Sequence, residues 1–485
     1  MVSSDSKKWF ALALILAVQF MTILDIAIVN VALPSIQLDL GFSQENLQWV
    51  ISAYALVFGG FLLLGGRSAD LLGRRRIFMA GTLIFTLGSL LCGLAWSETS
   101  LIAFRALQGL GAATLTPAAL SILVAMFAEG RERNIALGAW GAVGGVGAAA
   151  GVLFGGILVD FLSWEWIFFV NVPVGVAALI LAPILLSESL DKHGQSFDVP
   201  GAVLVTSGLS LLVLGITQGY GWGWGSGRTI GIFVASAVLL LAFVGWERRV
   251  KDPLVPFSVF RLQTLTAANI VGFILGTALF AMFLILTLYM QQVLNLSPLE
   301  TGVGYLAVAG TAIIWANVAA AAVTRVGVKP ALVFGMSLMT VGLLYFTQVS
   351  VNGSYWTDLF PGFLIIGLGM PFAFVPITIA AVAGTKPQEA GLASGLINTS
   401  QQIGGAVGIA ILSTIAVSTT TDDIAAGVAA PVALTSGFQA AFWAGAAISF
   451  VGVLVSLFVV RGRDLQHQEA GIGEPALEPA LEPAA

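Results

Sequence analysis

The sequence predicts an all-α integral membrane protein with about fourteen membrane-spanning helices. Composition, the length of the apolar runs and the placement of basic residues each point there. Of 485 residues, 58% are hydrophobic and 9% charged, and the mean hydropathy is +0.97. Soluble domains carry about 25% charged residues, so a water-soluble core of this length is excluded. A spanning helix needs about 20 mostly apolar residues. Such runs fall at 10–33, 47–66, 77–96, 100–127, 135–158, 166–187, 199–218, 229–246, 265–290, 301–323, 331–349, 357–383, 393–418 and 438–460. With both termini placed in the cytoplasm, all of the 20 Lys and Arg lie on the inner side except Arg228, which faces outward, and Arg105, which lies within a span. Short loops obey this positive-inside bias.

Taken in order, residues 1–9 form a cytoplasmic N-terminus. Lys7 and Lys8 precede the first apolar run as in a signal peptide. That run is too long, and no small-residue cleavage site follows it convincingly, so it reads as an uncleaved span. Residues 10–187 make an N-terminal six-helix half and 199–247 a two-helix insert. Residues 248–264 form a cytoplasmic linker, expected to contain an interfacial helix, and 265–460 a C-terminal six-helix half. The tail, 461–485, repeats Glu-Pro-Ala-Leu. Proline at every fourth position blocks a regular helix, which predicts a disordered cytoplasmic tail.

The two halves carry a weak duplication. Gly109-Leu110-Gly111 matches Gly367-Leu368-Gly369, and the loop around Gly73 matches the loop around Gly327. Both pairs are offset by about 255 residues, the kind of internal repeat found in secondary transporters, which bind substrate between the halves near the midplane. The halves differ in charge: Phe363 stands where the first half has Arg105, and Thr324 where it has Asp70.

Only Asp25 and Arg105 lie deep inside the apolar runs. An ionised group in hydrocarbon costs several kcal/mol and persists where it lines a cavity or an ion path. Low polarity raises the pKa of a carboxyl and a nearby cation lowers it, so Asp25 is expected to load a proton from one side and release it to the other. A static Asp25–Arg105 pair that only fixes packing, or an Arg105 that reaches the surface along its stem, is the plainer alternative. Arg105 and Gln108 are three apart and share a helix face.

The loop between the second and third spans reads Gly66-Arg67-Ser68-Ala69-Asp70-Leu71-Leu72-Gly73-Arg74-Arg75-Arg76. It resembles the signature cytoplasmic loop of the major facilitator superfamily, which implies a conformational latch built from Gly66, Arg67, Asp70, Gly73, Arg74, Arg75 and Arg76. Leu24-Asp25-Ile26-Ala27 through Pro34 resembles the first-span motif of that superfamily's fourteen-helix drug/proton antiporters. The stretch from Phe104-Arg105 to Gly111 resembles their proton-coupling motif. Trp164-Glu165-Trp166 through Gly175 and Asp252-Pro253 through Arg261 are similar to further segments of the same family, in the same order. The resemblance implies Asp25 and Arg105 as the proton-coupling residues. It also implies an antiporter motif in the fifth span at Gly141, Gly147, Gly151, Gly155 and Gly156, although the motif's proline is missing from Gly151-Val152-Leu153-Phe154-Gly155-Gly156. Close helix packing by small residues accounts for many of these glycines equally well.

The expected function is proton-coupled export of small amphipathic compounds. The expected partners are such a substrate, protons and the lipid bilayer, with no nucleic acid, no metal and no cofactor beyond the proton gradient. The chain is expected to act as a monomer in a bacterial plasma membrane. Polar and aromatic residues expected at the substrate cavity are Gln19, Asn30, Gln108, Asn269, Tyr289, Trp315, Asn398 and Gln401. No Gly-x-x-x-x-Gly-Lys-Ser/Thr phosphate loop occurs, so ATP-driven transport has no support. His193 and His467 lie in cytoplasmic segments and cannot pair at a metal, and the lone Cys92 cannot form an internal disulfide. Uptake of a small metabolite is the competing reading, and a non-transporting scaffold a third.

Overall fold

The computed structural model describes residues 4–127, 131–188, 198–382 and 390–459. Among these residues all regular structure is helical, and 14 helices are long and apolar enough to cross a membrane. The first half comprises α1 (Ser4–Leu40), a short α2 (Gln44–Leu47), α3 (Trp49–Leu72), α4 (Arg74–Gly93), α5 (Glu98–Met126), α6 (Arg131–Phe161), a short α7 (Trp166–Phe169) and α8 (Asn171–Leu185). The insert is the hairpin α9 (Val199–Trp222) and α10 (Gly227–Glu247). The second half comprises α11 (Gln263–Leu288), α12 (Pro298–Val326), α13 (Val328–Phe346), α14 (Phe360–Val382), α15 (Ala390–Ala425) and α16 (Ala430–Phe458). The tail from residue 461 onward lies outside the described residues.

Local chemistry sets the helix ends. Ser97 and Ser297 each cap a helix through a reciprocal capping box, with Ser100 and Glu300 as partners, which satisfies donors the helix start leaves open. Gly73 and Gly327 take positive φ, +107° and +88°, at the breaks between α3 and α4 and between α12 and α13. A residue with a Cβ is strained in that region.

The repeat is visible as packing. A Cβ on Gly109 would lie 2.6 Å from the Tyr54 carbonyl oxygen on α3, and one on Gly367 2.6 Å from the Val308 carbonyl oxygen on α12. Gly111 abuts Phe85 on α4, and Gly369 abuts Leu338 and Met339 on α13. In each half the first glycine thus seats the second long helix and the second glycine seats the third.

The halves meet at the end away from the basic loops. At the closed end Gln291 donates to the Val31 carbonyl, Gln292 to Gln37, and the Leu299 N–H to Asp160. Gly156 of α6 rests on Leu299 of α12. α3 packs on α15, and α9 lies against both, so the insert covers this seam between the halves.

One expectation is corrected. The linker holds no α-helix, only a short 3-10 helix at Phe257–Arg261; Pro253 and Pro256 interrupt the helical bonding before it. Beside Asp25 and Arg105, the fold buries two further charged residues, Asp198 and Glu247, 1% and 3% exposed. Both sit at helix ends, where an apolar-run reading assigns a residue to solvent.

Gly109→Leu is expected to lower the thermal unfolding midpoint of the detergent-purified protein markedly, since overpacking costs about 1–3 kcal/mol or more. Gly231 of α10 has open space around it, and Gly231→Ala is expected to shift stability by no more than about 1 kcal/mol. Equal midpoints for the two variants would refute the packing role of Gly109.

Candidate functional site

Five helices converge on Asp25. The side chain is fully buried on α1, and its Oδ2 accepts a hydrogen bond from Arg105 Nη1 of α5 at 2.7 Å. Its Oδ1 accepts from Gln108 Nε2 at 2.7 Å and from Asn171 Nδ2, the first residue of α8, at 2.9 Å. Arg105 is 1% exposed. Its Nε donates to the Val50 carbonyl of α3 at 2.9 Å, and its Nη1 also donates to Gln108 Oε1 at 2.7 Å. Ser89 of α4 accepts from both Gln108 and Asn171 and donates to the Phe168 carbonyl. Arg105 therefore does not reach toward a surface. It is locked inward by Asp25, Gln108 and a backbone carbonyl, with the Tyr54 ring centroid 4.4 Å from its guanidinium carbon.

Every partner of Asp25 presents a donor to it, as a carboxylate requires. Removing either member of a buried ion pair costs about 3–5 kcal/mol, because the other is left uncompensated. The arrangement holds a charge pair away from water.

A cavity of about 940 Å³ lies between the halves, well within the range of small-molecule sites. Ile26 and Ala27, next to Asp25 in the chain, line it; so does Tyr54, which stacks on Arg105. Among the described residues, none lining the cavity is an acid, a lysine or an arginine. Its wall is aliphatic and aromatic (Phe58, Phe280, Phe283, Tyr305, Met370, Phe374), with amide and hydroxyl groups set into it. Tyr54 is 2% exposed and its hydroxyl has no partner among the described residues.

Of the residues expected at the cavity, Gln19, Asn30, Asn398 and Gln401 line it. The other four do not. Gln108 belongs to the Asp25 cluster. Asn269 of α11 accepts from Ser400 of α15 at 2.7 Å, tying two helices of one half. Tyr289 donates to the Ser350 carbonyl at 2.7 Å near the closed end. Trp315 of α12 is 39% exposed and is not among the residues lining the cavity. Sequence reasoning placed these residues on the right helices but could not say which face of each turns inward. It also passed over Tyr54, Ser89 and Asn171. Asn171 left a signal, an amide opening an otherwise apolar span.

The fifth-span glycines divide by position along α6. Gly147, Gly151 and Gly155 seat α1: a Cβ on Gly151 would lie 2.6 Å from Ala27 Cβ, and one on Gly155 2.9 Å from the Ile28 carbonyl. Gly156 seats α12. Gly141 departs from the packing expectation, with nothing within 4 Å of a Cβ there, because α6 borders the cavity at that level. α6 runs from Arg131 to Phe161 with no proline inside it.

The segment expected as a loop is the end of α3, Gly73 and the start of α4; in it Arg67 of α3 donates to the carbonyls of Asp252 and Pro253 in the linker, both at 2.7 Å. Arg75 and Arg76 each lie 3.7 Å from Glu188, beyond the end of α8. Gly73 brings its backbone against that carboxylate, 2.5 Å from where a Cβ would stand. Gly66 makes an ordinary contact with Pro117, and Arg74 opens α4. The side chain of Asp70 lies outside the described residues. The segment is thereby joined to the end of the first half and to the linker.

Comparison with known proteins agrees with this architecture. Over 457 residues the chain is 39% identical to the puromycin resistance protein of Streptomyces alboniger, covering 93% of this chain and 90% of that one. It is 36% identical over 457 residues to the cephamycin export protein of Amycolatopsis lactamdurans, covering 93% and 92%. The crystal structure of a POT family transporter superposes with a TM-score of 0.69 at 15% identity, over 94% of this chain and 98% of that one, a likeness of fold alone. Residues 15–409 match the Major Facilitator Superfamily, and the chain belongs to that superfamily of membrane transporters.

Proposed function

We propose that the chain exports small, amphipathic, antibiotic-like molecules in exchange for protons, with Asp25 carrying the proton. The observation that carries this reading is a fully buried carboxylate, paired with Arg105, whose chain neighbours Ile26 and Ala27 form part of the cavity wall. The relatives named for puromycin resistance and cephamycin export support export as the direction and antibiotics as the substrate class. The basic face is the cytoplasmic one, on the positive-inside bias. The cavity is enclosed by one chain, which supports a monomer as the working unit. The membrane is the bacterial plasma membrane, where a proton gradient is available.

The cycle follows from the pair. With Asp25 deprotonated and held by Arg105, Gln108 and Asn171, the cavity accepts substrate from the cytoplasm. In the outward-open state the carboxylate takes a proton and lets go of Arg105. After return it delivers the proton inward and closes on Arg105 again. One pH unit supplies about 1.4 kcal/mol per proton, and each net charge moved adds about 2.3 kcal/mol per 100 mV. The uncharged wall suits neutral or singly charged substrates.

In proteoliposomes, Asp25→Asn is expected to abolish substrate accumulation driven by a pH gradient while substrate counterflow without a gradient persists. Retention of gradient-driven accumulation would sink the proposal, whereas loss of both activities would point to a structural role for the pair. Tyr54 generates a separate expectation. Tyr54→Phe keeps the ring over Arg105 and loses only an unpartnered hydroxyl, so transport stays near wild type. Tyr54→Ala opens the pair to the cavity and produces a substrate-independent proton leak, readable with an entrapped pH dye. A tight Tyr54→Ala variant would show that the ring is no barrier.

A further inference from the structure

A second pair of buried acids stands outside this site, at the basic-face end of the insert. Asp198 caps α9, and its Oδ1 accepts the Gly201 N–H at 3.0 Å and the Trp246 indole N–H at 2.6 Å. Glu247 ends α10, and its Oε2 accepts the Val255 N–H of the linker at 3.0 Å. The remaining oxygens, Asp198 Oδ2 and Glu247 Oε1, are buried and have no hydrogen-bond partner among the described residues. They converge on one point: a Cβ on Gly201 would lie 2.6 Å from the first and 2.8 Å from the second.

Two ionised carboxylates in such a position repel, and one of them is driven to hold a proton. A single proton between the bare oxygens turns two unpartnered acceptors into a donor and an acceptor. We infer that Asp198 and Glu247 form a second proton-binding site, separate from Asp25, whose shared proton ties the insert to the linker. Asp198 already accepts two N–H groups at the start of α9, and Glu247 accepts one at the end of α10.

Other charged groups on the adjoining elements leave this balance in place. Arg248 and Arg249 are exposed beyond the end of α10, and Lys251 is exposed in the linker. Arg67 of α3 is engaged with the carbonyls of Asp252 and Pro253, and Asp252 is itself partnered. α15 carries Asp422 and Asp423 at its opposite end, and α2 carries Glu45 there too. When the shared proton leaves, two like charges face each other with little water, and Val255 loses its acceptor as they part. The joint is therefore closed while the pair is protonated and opens as pH rises. Since Arg67 grips the linker at Asp252 and Pro253, the joint also connects the insert to the end of α3.

The test is hydrogen–deuterium exchange of the linker peptide containing Val255. It uses the full chain in lipid nanodiscs across a range of pH, corrected for intrinsic exchange, with a bulky organic cation as the only counterion. In the wild type, protection is expected to fall at least about tenfold from the acid to the alkaline end, because the open joint exposes the amide. The Glu247→Gln amide donates to Asp198 Oδ2 while its oxygen accepts from Val255, so its protection is expected to be high and flat. Asp198→Asn, which still caps α9 and donates to Glu247, is expected to be flat as well. Asp25→Asn is expected to keep the wild-type profile, which separates this site from the exchange mechanism. Flat protection in the wild type, or a wild-type profile in both conservative variants, would overturn the inference. Recovery of alkaline protection on adding Na⁺ or K⁺ would overturn it too, in favour of a monovalent cation between the oxygens.

Discussion

The contact between Asp25 and Arg105 organises the first half of this protein. Its two charges lie where neither can be hydrated, so each depends on the other and on the donors around them. That dependence draws α1, α3, α4, α5 and α8 to one point. A buried ion pair is weak as a source of net stability, because desolvation offsets most of its attraction. In the proposed cycle its value lies in having two states, paired or neutralised by a proton, so that the position of α1 against α5 beside the cavity wall changes with the pair.

The duplicated fold sharpens this point. Gly109 and Gly367, and Gly111 and Gly369, seat corresponding helices in the same way. Yet where the first half places Arg105, the second places Phe363, buried against Tyr305, Phe346 and Tyr355 with ring centroids 5.4 to 6.1 Å apart. One half is built around an ion pair and the other around an aromatic cluster. In the proposed cycle the charge-dependent change therefore lies in the first half. The insert adds a third element, lying across the α3–α15 seam and joined to the linker through Glu247.

The fold was largely legible in the sequence, because the requirement to bury backbone polar groups in lipid leaves helices as the element of an apolar chain of this kind. Spans and their number follow from run length. Asp25 and Arg105 were legible for the same reason, being ionisable where hydropathy is high. Inward-facing residues were harder to read. Asn269, Tyr289 and Trp315 look like cavity residues because they are polar or aromatic within spans, but helices apolar all round give no sign of which face meets the cavity. Asn171, Ser89 and Tyr54 join the site through contacts between distant segments. Asp198 and Glu247 escaped because burial at a helix end depends on the tertiary fold around it, here Trp246 and the linker.

The most direct measurement is proton release on substrate binding, followed with a pH indicator in weakly buffered, detergent-solubilised protein. If Asp25 alternates between proton and Arg105, addition of a transported substrate to protonated wild-type protein should release about one proton per chain, and Asp25→Asn should bind the same substrate and release none. Equal release from both proteins would contradict the account at its centre.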